Sequence, residues 1–391
     1  MSALLDELSI HNQRKIGIIG GGQIGKMIAQ EAKRMSIQVI ILDPSKYCPA
    51  STICDKLIVA DFKNEDKIRE LAQYSDVITY EIELANSKAL KNLELQNYPI
   101  FPSPHSLYLI QNKFRQKTFL NENNLPVAKF KKIDSANDLL LVAKEFGYPF
   151  MLKACEDSYD GRGNYLIKNK DDIFPAYNSF ENREIFAEKF VDFKKEISMM
   201  VARNKRGQIE SFPIAENIHN NNVLDTTIVP STISLKIKEA AEIIAKKVVI
   251  CLNDIGIFGI EMFVSKNDEI FINEIAPRPH NSGHYSIEGC SISQFEQHIR
   301  AILNFPLLKP ELLRPTVMKN ILGPPNFSGN YRIRGLSHLL SIPSTKIHIY
   351  GKRVTRPSRK LGHVTCTGPT LDEAIYRCSD AKNSLEIIED K

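Results

Sequence analysis

The feature that most constrains the fold of this chain is a glycine-rich turn, which lies between an apolar run and a segment with helical spacing. Residues Lys15–Ile19 predict a short buried strand, and Gly20-Gly21-Gly22-Gln23-Ile24-Gly25 follows it directly. The next residues carry an apolar stripe at helical spacing. Strand, tight turn and helix form the first unit of a parallel α/β sheet. Further strands of that sheet are predicted at Val39–Leu42, Lys56–Val59 and Val77–Tyr80.

The same glycine loop is compatible with more than one function. Gly20, Gly22 and Gly25 match the dinucleotide pattern, and Asp43 ends the next strand where an acid would meet a ribose hydroxyl. This favours an NAD-dependent dehydrogenase. A P-loop is excluded, because Met27 stands where Ser or Thr should coordinate magnesium. Two alternatives stay open: a turn that needs glycine for packing, and a polar-ligand site at a helix N-terminus.

The rest of the chain differs from this first unit in its pattern. Strand-like runs alternate with helices such as Leu235–Leu252, which indicates α+β structure with antiparallel pairs. Prolines at 102 and 104 end the first domain, and prolines after residue 305 precede a small β-rich segment. The sequence therefore predicts three domains, at residues 1–110, 111–305 and 306–391.

Composition limits the cellular setting and the partners. The net charge of +5 is too mild to imply nucleic acid. Seven cysteines are widely spaced without a C-x-x-C pair, which argues against disulfides and zinc and suits the cytoplasm. Met1–Lys15 does not resemble a signal peptide, and no apolar run approaches the roughly 20 residues that span a bilayer.

Two glutamates are predicted to face each other across a hairpin. The apolar runs Ile257–Val264 and Glu269–Glu274 flank Asn267-Asp268. A two-residue loop would place Lys266 opposite Glu269 and Glu261 opposite Glu274, whereas an odd-numbered loop would break this register. Facing carboxylates among apolar neighbours require a cation, and magnesium with nucleotide phosphates satisfies them. In a regular strand Asn273 would point away from the face of Glu274.

A lysine and a second glycine-containing loop suggest a phosphate site. Lys153 ends the apolar run Phe150-Met151-Leu152, and the segment 157–164 follows with Gly161, Arg162 and Gly163. A lysine supplies a point charge and such a loop can close over phosphates. An ordinary hairpin loop with a snorkelling lysine is the open alternative.

Together these segments resemble the 5-(carboxyamino)imidazole ribonucleotide synthetases of the ATP-grasp superfamily, which act in purine biosynthesis. The similarity extends from Ile16 to about Gly362. Its most specific part is the string from Asn273 to His284. The other parts are the first glycine loop, Thr79–Glu83, Tyr159–Gly163, Phe212–Asn217 and the basic residues from Lys352 to Lys360.

The resemblance implies an ATP-grasp fold with an N-terminal Rossmann-like pre-ATP-grasp domain and a small C-terminal β-rich domain. It implies carboxylation of 5-aminoimidazole ribonucleotide with ATP, bicarbonate and Mg²⁺. Some fungal and plant relatives carry a fused mutase domain, which we do not expect here. We expect a homodimer, with small-molecule substrates and neither nucleic acid nor membrane as partner.

The resemblance also assigns residues to each ligand. Glu261 and Glu274 would hold magnesium. Arg278, His280 and Asn281 would surround bicarbonate, and Asp160 would be catalytic with them. The ribonucleotide would meet Gln23, Glu81, Tyr159, Asp160, Arg162, Lys352, Arg359 and Lys360. ATP would meet Lys113, Lys153, Ser158, Tyr159, Asp160, Gly161, Arg162, Gly163, Asn164, Glu188, Lys189, Phe190, Val191, Glu196, His219, Asn273 and Glu274.

Two points stay open at the level of sequence. Asp160 is the first candidate to accept a proton from the ribonucleotide amine, and His280 is the second. The competing functions are another ATP-grasp ligase such as a formate-dependent glycinamide ribonucleotide transformylase, an NAD-dependent dehydrogenase, and a catalytically silent binding module.

Overall fold

The N-terminal part of the chain forms a parallel four-stranded sheet between two layers of helices. The computed structural model describes residues 13–156, 163–180 and 183–390. The strand order β3-β2-β1-β4 reverses beside β1, and ligands bind at such switch points in open α/β sheets. The elements are β1 (Lys15–Ile19), α1 (Gln23–Arg34), β2 (Gln38–Asp43), β3 (Lys56–Val59), α2 (Glu65–Gln73), β4 (Val77–Tyr80), α3 (Ser87–Leu95) and α4 (Pro104–Gln111).

A second, smaller sheet follows a connecting helix, α5 (Lys113–Glu122). Its four strands are antiparallel in the order β5-β8-β6-β7. The apolar faces of two helices pack against this sheet. The elements are β5 (Phe130–Ile133), α6 (Ala136–Phe146), β6 (Phe150–Ala154), β7 (Asn164–Ile167), α7 (Ile173–Asn178) and β8 (Ile185–Lys189).

The largest sheet has nine strands, and the hairpin of the two glutamates forms one edge of it. The strand order is β14-β13-β9-β11-β12-β15-β19-β17, with β10 beside β9. The elements up to residue 302 are β9 (Phe193–Arg203), β10 (Ile209–Ser211), β11 (Ala215–Asn220), β12 (Val223–Val229), α8 (Leu235–Leu252), β13 (Gly256–Ser265), β14 (Ile270–Ala276), α9 (Ser286–Gly289) and α10 (Gln294–Ile302).

The C-terminal residues extend this sheet and do not pack as a separate layer. Strands β15, β17 and β19 continue it through the antiparallel pair β12–β15. A short three-stranded sheet of β18, β16 and β20 lies beside it. The elements are β15 (Thr316–Leu322), β16 (Gly329–Arg334), α11 (Leu336–Ser341), β17 (Thr345–Ile349), β18 (Val354–Thr355), β19 (Lys360–Thr367), α12 (Leu371–Asn383) and β20 (Glu386–Glu389).

Helix α8 illustrates how the sequence defines an element. The Ser234 side chain accepts a hydrogen bond from the Ile237 amide at the first turn, and Asn253 ends the helix in a left-handed conformation. Residues such as Ala241, Ala245 and Val249 repeat every four positions and bury one face against β9 and β13. Among the helices described, none combines the length and apolar character needed to cross a bilayer.

Candidate active site

The first glycine loop binds a carboxylate of its own chain. Glu81 follows β4, and its Oε1 accepts a hydrogen bond from the Gly22 amide at 2.7 Å. Its Oε2 accepts from the amides of Ile24 and Gly25 at 3.2 and 3.1 Å. A Cβ atom on Gly22 would lie 2.4 Å from Oε1, so the glycine leaves room for this carboxylate. Glu81 therefore occupies the helix N-terminus where a dinucleotide pyrophosphate would lie.

The carboxylate of Asp43 is also hydrogen-bonded to backbone amides of the protein. Its Oδ2 accepts from the Gly21 amide and its Oδ1 from the Ser45 amide, both at 2.8 Å. The side chain is buried, at 7% exposure. The glycine loop and Asp43, the two features that favoured a dehydrogenase, are thus hydrogen-bonded to groups of the protein itself. Gln23 is the first residue of α1 and lies partly buried beside Glu81.

The facing glutamates are confirmed, but the predicted turn is wrong. Glu261 pairs directly with Glu274 across β13 and β14. The turn has an odd number of residues, because the Ser265 amide donates to the Glu269 carbonyl at 2.8 Å, and Lys266 does not face Glu269. The resulting one-residue offset is cancelled at a bulge, where the register shifts between Met262 and Glu261.

Asn273 is the extra residue at this bulge, since its neighbours Ile272 and Glu274 pair with Met262 and Glu261. The expectation for a regular strand therefore does not apply to it. Asn273 lines a small cavity together with Glu261, Glu196 and His219. His219 Nδ1 lies 2.6 Å from Glu196 Oε2 in this cavity.

The two facing carboxylates differ in their charge environment. Burial and the charge of Glu274 raise the pKa of Glu261 to about 7. Burial acts in the same direction on Glu274, but the Lys113 ammonium, whose Nζ lies 3.1 Å from Oε2, holds the pKa of Glu274 below its usual value. In the absence of a bound cation, Glu274 is paired with Lys113, whereas the ionised form of Glu261 is unfavourable.

Lys153 is paired with a buried carboxylate and does not extend into solvent. Its ammonium contacts Glu188 Oε2 on the neighbouring strand β8. The other oxygen of Glu188 lies 2.6 Å from Lys117 Nζ, and all three side chains are largely buried. Although burial opposes ionisation, the two lysines lower the pKa of Glu188 to about 2. Lys189, Phe190 and Val191 lie at the end of β8 and just beyond it.

The residues after β14 bring a cation and an imidazole to the glutamate pair. His280 Nε2 lies 3.4 Å from Glu261 Oε1. Arg278 pairs with Glu83 at 2.9 Å between Nη2 and Oε1, and its buried Nε has no hydrogen-bond partner among the described residues. The Asn281 side-chain amide exchanges hydrogen bonds with the amide of Asn320 at 3.1 and 2.8 Å.

The basic residues of the C-terminal part lie against the first domain. Lys26 Nζ donates to the carbonyls of Ile349 and Tyr350 at 3.1 and 3.2 Å, which fixes the strand end before Lys352. Burial and the charge of Arg359 lower the pKa of Lys352 to about 8. Arg359 Nη1 donates to the Val354 carbonyl at 2.8 Å.

The charges of Lys352 and Lys360 act on different carboxylates of the site. The charge of Lys360 acts on Glu261, His219 and His280 and also on Lys352, whereas the charge of Lys352 acts on Glu81. The predicted basic cluster is therefore close to both the glutamate pair and the first glycine loop. Ser158, Tyr159, Asp160, Gly161 and Arg162 lie outside the described residues, while Gly163 and Asn164 begin the return strand β7.

Three domain families match consecutive parts of this chain. The Ribonucleotide synthetase preATP-grasp domain matches residues 13–111, and the ATP-grasp domain matches residues 118–295. The Phosphoribosylaminoimidazole carboxylase C-terminal domain matches residues 316–377. The chain is 41% identical to the N5-carboxyaminoimidazole ribonucleotide synthase of Staphylococcus epidermidis, over 90% of this chain and 91% of that protein.

The chain belongs to the N5-carboxyaminoimidazole ribonucleotide synthase family. The solved synthetase of Thermotoga maritima superposes with a TM-score of 0.89 at 44% identity, covering 97% of this chain and all of that one (100%). The Aspergillus clavatus synthase in complex with ADP and 5-aminoimidazole ribonucleotide has a TM-score of 0.87 at 35% identity, covering 95% and 98%. The chain spans 65–68% of the length of the fungal phosphoribosylaminoimidazole carboxylases that it matches.

The structure of this family member also shows polar residues that sequence reasoning missed. Lys117 lies four positions after Lys113, and this helical spacing was a usable signal. Ser198, Asn217 and Ser282 are buried polar residues near His280, and none of them was assigned a role, although Asn217 and Ser282 lie in segments that carry the resemblance. They come together only because β9, β11 and the segment after β14 are adjacent in the fold.

Proposed function

We propose that this chain uses ATP and bicarbonate to carboxylate the exocyclic amine of 5-aminoimidazole ribonucleotide, with ADP and phosphate as the other products. One observation carries the proposal beyond family membership. His280, from the segment assigned to bicarbonate, lies 3.4 Å from Glu261 of the facing glutamate pair. Phosphoryl transfer to bicarbonate requires these two groups to adjoin, because the γ-phosphate and the acceptor oxygen must be in line.

The nucleotide would lie between the two sheets that carry Lys153 and the glutamate pair. Glu196, His219 and Asn273 line one cavity with Glu261 and would contact ATP there. Lys153 would supply a positive charge to the phosphates, and Lys117 would remain to pair with Glu188. The assignments of Ser158–Arg162 rest on the family resemblance alone.

The donor set fits magnesium. Glu261 and Glu274 face each other, and burial together with the charge of Glu274 raises the pKa of Glu261 to about 7, so a bound cation would stabilise its ionised form. Among the described residues no group of three or more His, Cys, Asp or Glu side chains is arranged to hold a metal ion, so the remaining ligands would be phosphate oxygens and water. Bound Mg²⁺ would neutralise charge on the transferring phosphoryl group.

The protein's own residues would then hold and protect carboxyphosphate. Arg278 has an unpartnered, buried Nε among the described atoms, and an anion is the natural acceptor for it. Carboxyphosphate breaks down to carbon dioxide and phosphate, so the site must exclude water until the amine attacks. Attack of the amine lone pair on carbon dioxide forms the carbamate and releases one proton, for which Asp160 is the first candidate acceptor.

The ribonucleotide would lie between the first glycine loop and the basic C-terminal residues. Lys352 comes close to Glu81 because Lys26 ties the end of β17 to α1, and the charge of Arg359 acts on Lys352. An arginine fork and a lysine are suited to a phosphate monoester dianion. Family membership also supports a cytoplasmic biosynthetic enzyme, a homodimer and domain limits near residues 110 and 305, and all three remain predictions.

Phosphate release from ATP tests the activity directly. The complete mixture of enzyme, Mg²⁺, bicarbonate and 5-aminoimidazole ribonucleotide should release phosphate, and omission of the ribonucleotide or of magnesium should abolish the release. Labelled bicarbonate should enter an acid-labile carbamate. A parallel reaction with formate and glycinamide ribonucleotide tests the competing ligase. Phosphate release in that mixture alone would replace the proposed reaction with a formate-dependent one.

A further inference from the structure

A buried row of polar side chains connects the interior of the large sheet to the imidazole of His280. Thr227 Oγ1 lies 3.1 Å from Asn217 Oδ1, and Asn217 Nδ2 lies 2.9 Å from Ser198 Oγ. Ser198 Oγ lies 2.8 Å from Ser282 Oγ, which lies 2.8 Å from His280 Nδ1. The first four residues are at most 6% exposed. Water therefore does not compete for these bonds, and their directions are set by the side chains themselves.

The direction of the row follows from the amide of Asn217. An amide nitrogen only donates, so Ser198 Oγ accepts from it and its own proton goes to Ser282. Ser282 Oγ accepts that proton and donates its own to His280 Nδ1. The row thus delivers a hydrogen-bond donor to Nδ1.

A backbone group gives the same result independently of the amide orientation. The Ser282 amide N–H is directed at His280 Nδ1 at 3.3 Å, and a backbone N–H cannot accept. Nδ1 therefore presents a lone pair to two donors. In a neutral imidazole the proton then lies on Nε2, the nitrogen that faces Glu261 Oε1 at 3.4 Å.

The main chain of His280 is fixed as well. Gln294 Oε1 accepts from the His280 amide at 2.9 Å, and Gln294 Nε2 donates to the His280 carbonyl at 2.8 Å. A Cβ atom on Gly259 would lie 2.7 Å from His280 Cβ, so this glycine admits the ring. The main chain and Cβ of His280 are therefore held in place, and the orientation of the ring depends on the contacts of its two nitrogens.

We propose that the row Thr227–Asn217–Ser198–Ser282 is a positioning device that holds His280 as a hydrogen-bond donor through Nε2 towards bicarbonate and carboxyphosphate. His280 then does not take the proton of the ribonucleotide amine, because Nδ1 is engaged and Nε2 already carries a proton. A fixed donor aimed at a developing anion stabilises it without reorganisation. The role of the donor rests on the proposed function, whereas the tautomer rests on the geometry alone.

Nitrogen NMR of the ligand-free enzyme tests the tautomer without any assay of activity. With ¹⁵N-labelled histidine, the signal lost in His280→Gln identifies the residue. We expect a pyridine-type Nδ1 and a pyrrole-type Nε2. The opposite pattern, or an imidazolium pattern at neutral pH, would overturn the proposal whether or not the enzyme carboxylates the ribonucleotide.

Asn217→Asp tests the row, because a carboxylate can only accept. Ser198 would donate to the new side chain and Ser282 would donate to Ser198, so His280 Nδ1 would keep only the longer contact with the Ser282 backbone amide at 3.3 Å. We expect a second population with the proton on Nδ1 to appear in the histidine signals and kcat to fall by at least about tenfold, with the KM for ATP changed less than about twofold. Ser282→Ala should lower kcat in the same way.

Ser286→Ala is the matched control, since Ser286 is a fully buried hydroxyl of the same segment that contacts Gly283 and Gln294 but not His280. It should keep the tautomer and kcat. If Asn217→Asp leaves the His280 signals unchanged, or if it and the control lower kcat and raise the KM for ATP alike, the row is structural packing only and the proposal is wrong.

Discussion

The amide nitrogen of Gly22 lies 2.7 Å from Oε1 of Glu81, so the first glycine loop holds a side chain where its sequence suggests a cofactor. A carboxylate at this position repels a pyrophosphate and also takes its hydrogen-bond donors. We therefore expect neither NAD nor NADP to bind with micromolar affinity. Isothermal titration should give no heat for either, with ADP as the positive control, and micromolar binding of NAD would revive the dehydrogenase alternative.

The same contact predicts the effect of adding one methyl group to the loop. Gly22 has φ −70, so alanine is not strained there, but its Cβ would lie 2.4 Å from Glu81 Oε1. We expect Gly22→Ala to lower the free energy of unfolding by about 1–3 kcal/mol, as overpacking does. Urea denaturation measures this. The double variant Gly22→Ala, Glu81→Ala should lose less than the sum of the single changes, and simple additivity would show that the two residues do not clash.

Removal of one facing carboxylate should abolish most of the magnesium-dependent activity. In Glu274→Gln we expect turnover to fall at least about tenfold, because a metal ligand stabilises transition-state charge by several kcal/mol. The half-saturating magnesium concentration should rise with it. Glu269→Gln changes an exposed glutamate in the turn of the same hairpin and should have no effect. Undiminished activity in Glu274→Gln would remove the metal assignment.

The hairpin shows what a strand pattern can and cannot predict. Two apolar runs on either side of a turn identified both strands, and the pairing of Glu261 with Glu274 is correct. The predicted two-residue turn was wrong, because the turn has an odd number of residues and a bulge at Asn273 restores the register. Sequence alone does not reveal a bulge, since the extra residue has an ordinary side chain and only the bonds of the partner strand identify it.

Contacts between residues that are distant in the chain were the second feature that the sequence did not reveal. The strand that carries Lys153 was predicted, but its pairing with the strand of Glu188 depends on the antiparallel order of the whole small sheet. Glu81 was assigned to the ribonucleotide, and its capping of α1 became visible only when β4 lay beside β1. Specific motifs identify the residues of a site, whereas their partners follow from topology.

The buried Lys117–Glu188–Lys153 group predicts a pH-dependent stability. The pKa of Glu188 is lowered to about 2, so its ionised form stabilises the fold above its unfolded pKa of about 4.3, and that contribution disappears as pH falls towards 2. At pH 7 we expect Glu188→Gln to lose about 3–5 kcal/mol, because two buried lysines lose their partner. The difference from the unmodified protein should shrink below pH 4.5 in urea titrations.

Glu184→Gln is the control for this effect, since Glu184 lies near the start of the same strand with its side chain 65% exposed. It should change stability by less than about 0.5 kcal/mol at every pH. If Glu188→Gln lost the same free energy at pH 3.5 as at pH 7, the ionised carboxylate would not be the stabilising species.

The basic residues of the C-terminal part lead to the last prediction, which separates the ribonucleotide from ATP. The charge of Arg359 acts on Lys352, whose own charge acts on Glu81. We expect Arg359→Ala to raise the KM for 5-aminoimidazole ribonucleotide about ten- to a hundred-fold, the value of a charged hydrogen bond, with little change for ATP. Arg356→Ala removes an exposed charge from the same loop and should leave both constants unchanged. Because Arg359 also donates to the Val354 carbonyl, loss of loop structure would raise both constants together, and that outcome would assign Arg359 to the loop and not to the phosphate.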